Sequence, residues 1–370
     1  MAYNRIVIKL GTNLLTGGSD CLNLEIMSSL VGQTAKLHKQ GMEIVVVSSG
    51  AIAAGRKRLG FIKERKDIPF KQVLAAVGQS RLMDAYDQLF GWHEITIAQT
   101  LLTRNDLSNR ISYLNARNTL LALLELRVIP IVNENDVVAV DELQTAVFGD
   151  NDNLSALVAG LTDADLLMLL TDIGGLYDAD PRHNSNARLV ERVERIDTFI
   201  ESLAGATRTE RGTGGMVTKV EAAKLATASG VAVVIADGRE PEVIIKLTNG
   251  EPIGTYFHPT TSKLESRKRW LLSGISKGQL IIDSGAATAL REQNKSLLPA
   301  GITRVNGKFE RGDIVNILDS AKREKVACGI SNYSSDDIAI IKGAHSDKIA
   351  ERLGYEYGAE AVHRDNLVML

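Results

Sequence analysis

The chain has 370 residues, 44% hydrophobic and 24% charged, with a formal net charge of −2 at pH 7. This composition indicates a globular protein with a sizeable core, and the length favours two domains. A nearly neutral chain offers no field suited to a polyanionic partner, and its apolar runs are far shorter than the ~20 residues of a membrane span. Cys21 and Cys328, without metal-ligand spacing, indicate reduced packing residues in a cytoplasmic protein.

Strands and helices alternate up to about residue 250, as continuous apolar runs and apolar residues at helical spacing indicate. The predicted strands are Ile6–Leu10, Glu43–Val47, Ile95–Leu101, Val128–Val132, Leu166–Leu170 and Val231–Ile235. The predicted helices are Leu24–Lys39, Lys71–Leu89, Ser112–Leu126, Leu154–Leu161 and Lys219–Ser229. This order predicts an α/β fold with a mostly parallel sheet that helices cover on both faces.

The composition changes near residue 255. Pro259, two threonines and the basic cluster Arg267-Lys268-Arg269 indicate a linker, and the turns Asn306-Gly307 and Gly312-Asp313 separate short strands beyond it. The sequence therefore predicts a first domain over residues 1–258, a linker over 259–274 and a small β-rich domain over 275–370.

Several polar residues fall at the carboxyl ends of predicted strands, where parallel sheets bind ligands. They are Lys9, Ser49, Asn133 and Thr171. Gly11, close to Lys9, lets backbone N–H groups approach a phosphate, although Lys9 alone could extend to solvent. The turn around Ser49 repeats this arrangement of a polar residue beside a glycine at a strand end. Alternatively, Ser49 serves only as the N-cap of a helix.

An acidic-amide run, Gly149-Asp150-Asn151-Asp152-Asn153, precedes a predicted helix. A helix cap needs one such residue and does not explain the others. Asp152 could hold two ammonium groups, those of Lys9 and Lys219, by charge-assisted hydrogen bonds. Asn151, together with Asp136 in the polar run Asn133–Asp136, could bind the ammonium group of an amino acid.

Small-residue loops complete the candidate site. The run Gly212–Lys219 is glycine-rich but lacks the Walker A spacing, and Thr171–Tyr177 is either a turn or part of a nucleotide pocket. The six histidines show no metal-ligand spacing. Two cations, a carboxylate between them and small-residue loops predict phosphoryl transfer, which needs positioning and positive charge more than covalent help.

Six motifs, taken in order, resemble the bacterial glutamate 5-kinases of the amino-acid kinase superfamily. These motifs are Val7–Thr12, Ser48–Gly55, Ala75–Ser80, Asn133–Asp136, Gly149–Ala156 and Gly212–Met216. Leu298–Ile302 and Val305–Asp313 resemble the PUA domain that follows the kinase in many of these enzymes. The resemblance runs essentially end to end. Val140–Phe148 is slightly longer than the family's pattern, so the loop over the amino-acid site is expected to differ in shape.

The resemblance implies ATP-dependent phosphorylation of the γ-carboxylate of L-glutamate, the first step of proline synthesis. It places Lys9, Lys219 and Asp152 at the transferred group, and Ser49, Gly50, Asp136 and Asn151 at glutamate. It assigns ATP binding to Lys9, Gly11, Thr171, Asp172, Thr213, Gly214, Gly215, Met216, Val217, Thr218 and Lys219. Mg²⁺ would bridge the phosphates, held mainly by phosphate and water oxygens, so no protein metal ligand is expected.

The resemblance also implies a homo-oligomer, a tetramer, with feedback inhibition by proline and transfer of the labile product to glutamyl phosphate reductase. Other substrates remain open on the same fold: N-acetylglutamate, aspartate, carbamate or a nucleoside monophosphate. Asp136 discriminates among them, because a carboxylate suits a free ammonium and repels a phosphate. An RNA-binding or RNA-modifying protein is the alternative of another class, but residues 275–370 carry equal numbers of basic and acidic residues.

Overall fold

The structure is a computed structural model that describes residues 3–60, 67–139, 150–181, 183–205, 215–265, 276–293, 295–322 and 324–370. The chain divides into two compact units. The first comprises Met1–Ser108 and Asn115–Lys263, and the second comprises Asn109–Leu114 and Leu264–Leu370. Within the described ranges, no helix is both long and apolar enough to cross a membrane.

The described part of the first unit contains an eight-stranded sheet in the order β3-β4-β2-β1-β5-β7-β8-β6. Its strands are β1 Arg5–Leu10, β2 Glu43–Ser48, β3 Ile97–Leu102, β4 Ile129–Glu134, β5 Leu166–Thr171, β6 Arg192–Val193, β7 Ala232–Asp237 and β8 Thr255–Phe257. Every neighbouring pair is parallel except β7 with β8. The predicted mostly parallel sheet is therefore confirmed, and the antiparallel β8 adds to it.

Helices cover this sheet and account for its continuous apolar strands. They are α1 Thr12–Thr16, α2 Leu24–Lys39, α3 Ala51–Leu59, α4 Ile68–Gly91, α5 Arg104–Ser108, α6 Arg110–Glu125, α7 Asp150–Leu161, α8 Thr198–Gly205, α9 Met216–Ala228 and α10 Val243–Thr248. The five predicted helices are confirmed. However, α7 begins at Asp150 rather than Leu154, because acidic and amide side chains are favoured in a first helical turn. The prediction missed the other five helices, α1, α3, α5, α8 and α10. The buried residues of α3 are small, Ala51, Ala53, Ala54 and Gly55, and give no apolar stripe in the sequence.

Side-chain alternation along β1 directs Lys9 to one face of the sheet. Ile6, Ile8 and Leu10 belong to the apolar core that includes Met27 and Leu30 of α2. Successive side chains of a strand point to opposite faces, so Lys9 faces away from that core. Helix α7 packs against β1, β2, β4 and β5. Lys9 and the first turn of α7 consequently meet at the carboxyl edge of the sheet.

Helices α3 and α4 touch backbone to backbone. A Cβ atom on Gly78 would lie 1.7 Å from the carbonyl oxygen of Ala51, and one on Gly55 would lie 1.9 Å from that of Leu74. Neither position can carry a side chain without separating the helices. Gly50, with φ of +100°, turns the chain from β2 into α3 in a conformation that side chains rarely adopt.

The second unit is small and β-rich, as predicted. Its described strands form a five-stranded sheet in the order β10-β9-β11-β12-β13. They are β9 Gly278–Ile282, β10 Ile302–Gly307, β11 Ile314–Asp319, β12 Lys325–Ile330 and β13 Leu367–Met369, accompanied by helices α11 Ser284–Gln293, α12 Ser335–Ile341 and α13 Ile349–Leu353. Gly307 and Gly312 have positive φ at the two predicted turns.

Candidate active site

Three charged side chains from distant parts of the chain meet beyond the sheet. Lys9 Nζ lies 2.5 Å from Oδ1 of Asp152, and Lys219 Nζ lies 3.2 Å from Oδ2. Thr218 donates a hydrogen bond of 2.8 Å to the same Oδ2, and its hydroxyl also lies 2.9 Å from the carbonyl oxygen of Gly215. Asp152 is completely buried, and both lysines are 6% exposed. The carboxylate thus holds two ammonium groups in place, as the sequence predicted that it could.

The charges of this cluster determine what it attracts. Burial raises the pKa of Asp152, but the two adjacent ammonium groups outweigh it and lower the pKa to about 2. Burial lowers the pKa of Lys9, and Lys219 acts in the same direction against the opposing effect of Asp152. One carboxylate between two ammonium groups leaves an excess of positive charge in a buried place. An anionic group is the ligand that such a place favours.

Backbone near the lysines is open to a close approach. A Cβ atom on Gly11 would lie 3.7 Å from Lys9 Nζ. Gly215 precedes the first turn of α9, which carries Met216, Val217, Thr218 and Lys219. The N–H groups at a helix N-terminus are suited to bind phosphate oxygens. Thr213 and Gly214, also predicted to bind ATP, lie outside the described residues.

A chain of hydrogen bonds links four side chains on one side of this cluster. Asn151 Nδ2 donates to Ser49 Oγ at 3.0 Å and lies 3.2 Å from Oδ1 of Asn133. Asn133 Nδ2 donates to Gln79 Oε1 at 2.8 Å. Gly50 follows Ser49 and begins the turn into α3. Strands β2 and β4 and helices α4 and α7 therefore supply one polar surface next to Asp152.

Asp136 lies two residues beyond β4. Burial raises the pKa of its carboxyl group to about 6. Gln72 donates to the backbone carbonyl oxygens of Asp136 and Val137, at 3.3 and 2.9 Å, which fixes the loop. Among the described residues, the Asp136 carboxylate has no hydrogen-bonding or ionic partner, so the structure does not join it to Ser49 or Asn151. A partly buried carboxylate that lacks such a partner suits a cationic ligand.

Thr171 and Asp172 lie at the carboxyl end of β5. Oγ of Thr171 and Nδ2 of Asn13 donate to the Asp172 carboxylate at 3.1 and 3.2 Å. Arg239 donates to the Asp172 carbonyl oxygen at 2.7 Å and pairs with Asp237. These contacts hold a second polar surface at the same edge of the sheet, next to Gly11, whose N–H donates to the carbonyl oxygen of Leu170.

For three residues of the site, the structure shows contacts that sequence reasoning did not predict. Thr218 was predicted only for ATP binding, yet it also orients Asp152. Asn133 was predicted only as a polar residue at a strand end within a family motif, and the only signal for Gln79 was its place in such a motif. Residues 140–148, where the longer loop was predicted, lie outside the described residues. Across the ranges that the structure describes, no group of three or more His, Cys, Asp or Glu side chains could hold a metal ion.

Comparison with known proteins identifies the class. The model of the amino acid kinase family matches residues 4–237, and that of the PUA domain matches residues 278–353. The chain belongs to the amino acid kinase family.

Similar curated proteins carry a more specific name. Glutamate 5-kinases of two Dehalococcoides mccartyi strains are 57% and 58% identical to this chain, across 100% of it and 99% of each relative. Glutamate 5-kinase of Herpetosiphon aurantiacus is 52% identical, across 99% of this chain and 98% of that protein. The similarity therefore spans both units.

Proposed function

We propose that the chain transfers the γ-phosphoryl group of ATP to the γ-carboxylate of L-glutamate, giving glutamyl 5-phosphate and ADP. The observation that carries the proposal is the buried cluster of Lys9, Asp152 and Lys219, with its excess positive charge. The identity of more than half of the chain to proteins named glutamate 5-kinase supports the choice of substrate.

The reaction is a direct displacement. A γ-carboxylate oxygen of glutamate forms a bond to the γ-phosphorus of ATP while the bond to the bridging oxygen breaks, and ADP leaves with that electron pair. A carboxylate is already ionised near neutral pH, so no general base is needed. Lys9 and Lys219 stabilise the negative charge on the transferred oxygens, and Asp152 keeps the two ammonium groups at a fixed separation.

Glutamate binds along the polar surface that carries Ser49 and Asn151, with further contacts from Gly50 and from Asp136 beyond β4. Ser49 and Asn151 are hydrogen-bonded to each other, which orients both side chains before the substrate arrives. Asp136 pairs with the α-ammonium group, because its carboxylate has no other partner among the described residues. ATP binds along Gly11, Thr171, Asp172 and residues 213–219, of which 216–219 form the first turn of α9.

Mg²⁺ accompanies ATP. Both oxygens of the Asp152 carboxylate already face lysine ammonium groups, so this carboxylate is not available as a metal ligand. Phosphate and water oxygens suit Mg²⁺, which gives up water reluctantly. When bound, the ion supplies further positive charge at the phosphates, and no side chain of the described residues is assigned to it.

The function is tested by trapping the acyl phosphate with hydroxylamine and measuring the hydroxamate. The assay compares glutamate with N-acetylglutamate, aspartate and carbamate, with ATP and Mg²⁺ present. We expect hydroxamate from glutamate and little from N-acetylglutamate, since acetylation removes the cation that Asp136 pairs with. Equal use of glutamate and N-acetylglutamate would contradict the assignment of Asp136. The absence of product from glutamate would contradict the function.

Asp136→Asn is expected to raise the KM for glutamate between about tenfold and a hundredfold, with the KM for ATP nearly unchanged. Loss of one charge-assisted hydrogen bond has about this effect, 1.5–3 kcal/mol. Steady-state kinetics with each substrate varied in turn measure the difference. Asp84→Asn, an exposed change on α4, is the matched control and should behave as wild type. An equal rise in both KM values would place Asp136 outside the glutamate site.

The pH profile gives the same assignment a second measurement. Because the pKa of Asp136 in the free protein is about 6, its carboxylate is ionised above that pH and protonated below it. The kcat/KM for glutamate should therefore be constant from pH 7 to 8 and fall as pH decreases through 6. Asp136→Asn should lose this inflection. An unchanged inflection in the variant would assign it to another group.

The remaining proposals follow from the family. We propose a first domain over residues 1–258, a linker over 259–274 and a PUA-like domain over 275–370, in a cytoplasmic homotetramer. Proline acts as feedback inhibitor, and the labile product passes to glutamyl phosphate reductase. Light scattering tests the oligomer, and titration with proline during the hydroxamate assay tests the regulation.

A further inference from the structure

We propose that Gln79 binds the α-carboxylate of the amino-acid substrate through a hydrogen bond that its side-chain Nε2 donates. The inference rests on the proposed function and deepens it, because it adds the residue that recognises the second charged group of glutamate. It rests on the orientation of four linked side chains and on two buried polar atoms.

The hydrogen-bond chain fixes which atom of Gln79 is free. The backbone N–H of Glu134 donates to Asn133 Oδ1 at 2.9 Å, so this atom of the Asn133 amide must be the acceptor. Asn133 therefore presents Nδ2 to Gln79, and the atom of Gln79 that receives it at 2.8 Å must be Oε1. The other end of the Gln79 amide, Nε2, is a donor.

Within this chain of hydrogen-bonded side chains, two atoms are buried without a hydrogen-bond partner among the described residues. They are Nε2 of Gln79 and Oδ1 of Asn151. One is a donor and the other is an acceptor. Buried polar groups in native proteins are nearly always paired, and an unpaired one costs free energy. A ligand that carries both an anionic and a cationic group offers a partner to each atom, and an α-amino acid is such a ligand.

The direction of the chain decides which carboxylate reaches Gln79. Asn151 is adjacent to Asp152, where Lys9 and Lys219 meet. From Asn151 the hydrogen bonds lead through Asn133 to Gln79. The reacting γ-carboxylate must lie at the lysines, so the α-carboxylate lies toward Gln79. The tight contact of Gly78 with Ala51 holds this part of α4 in position.

The test compares two variants against three ligands. Glutarate is glutamate without the α-ammonium group, and 4-aminobutyrate is glutamate without the α-carboxylate. Gln79→Ala should lower kcat/KM for glutamate between about tenfold and a hundredfold, mainly through KM. It should weaken competitive inhibition by glutarate by a similar factor and leave inhibition by 4-aminobutyrate within about twofold. Asp136→Asn should show the reverse pattern with the two analogues.

Controls separate this role from a structural one. Ser80→Ala changes the next side chain, which is exposed, and should behave as wild type. Gln79→Glu keeps the acceptor for Asn133 and places a negative charge near the α-carboxylate. It should therefore weaken glutamate binding more than Gln79→Ala does. Circular dichroism and the thermal midpoint of each variant verify folding.

Two outcomes would overturn the proposal. One is an equal loss of glutarate and 4-aminobutyrate binding in Gln79→Ala, which would mean that the residue only supports the site. The other is wild-type kcat/KM for glutamate in a folded Gln79→Ala. A wild-type protein that makes no hydroxamate from glutamate would instead contradict the proposed function itself.

Discussion

Replacing Lys9 or Lys219 by alanine is expected to lower kcat about 10²–10³-fold, with a smaller change in the KM for glutamate. Each ammonium group acts most strongly where negative charge develops on the transferred phosphoryl group, and loss of one preorganised stabiliser typically has this effect. Burial strengthens this effect, since both side chains are only 7% exposed and water screens them little. Hydroxamate formation at saturating ATP and glutamate measures the change.

Lys224→Ala is the matched control for these two variants. Lys224 lies on α9 with Lys219, but its side chain is 61% exposed and pairs with Glu201. Its removal should leave turnover within about twofold, as for most exposed ion pairs. Near-wild-type turnover in a folded Lys9→Ala or Lys219→Ala would show that the corresponding ammonium group does not act on the phosphoryl group.

Asp152→Asn is expected to impair turnover at least as strongly as either lysine variant and also to destabilise the fold. The substitution keeps the side-chain volume but leaves Lys9 and Lys219 facing each other without a counter-charge. Breaking a buried ion pair on one side typically costs about 3–5 kcal/mol. Urea unfolding measures the stability. Added phosphate should raise the unfolding midpoint of the variant more than that of wild type, because an anion replaces the missing charge.

The pH dependence of this stability difference has a definite sign. The pKa of Asp152 is lowered in the folded protein, from 3.8 to about 2. Its stabilising contribution is therefore complete above the unfolded value and is lost as pH falls through the folded value. The difference between wild type and Asp152→Asn should shrink as pH decreases from 5 toward 2. A difference that grew in this range would contradict the ion cluster.

The sheet could be predicted from the sequence because its strands are buried on both faces and read as continuous apolar runs. Leu166–Thr171 is the clearest example, with every residue buried. The meeting of Lys9 and Asp152 could be anticipated from strand ends and from chemistry. Helix α3 could not, because it packs through small side chains and a glycine rather than through an apolar stripe.

The role of Gln79 was beyond sequence reasoning for a different reason. Its significance depends on which amide atom faces Asn133, 54 residues away along the chain. That orientation follows from the backbone N–H of Glu134, which donates to Asn133 Oδ1. The double contact of Thr218 with Asp152 and Gly215 likewise depends on how α7 and α9 pack. Periodicity and motif spacing carry no information on such side-chain directions.

The glycine contact between α3 and α4 has a consequence for substrate length. The Ser49 turn enters α3, and Gln79 follows Gly78 on α4, so two of the residues proposed to bind glutamate are held by helices whose backbones touch. At Gly55 and Gly78 the two backbones meet without an intervening side chain. We therefore expect a ligand longer or shorter by one methylene to bind poorly, because a change in the separation of Ser49 and Gln79 would have to move a helix. The fixed spacing of α3 and α4 would thus select substrates by their length.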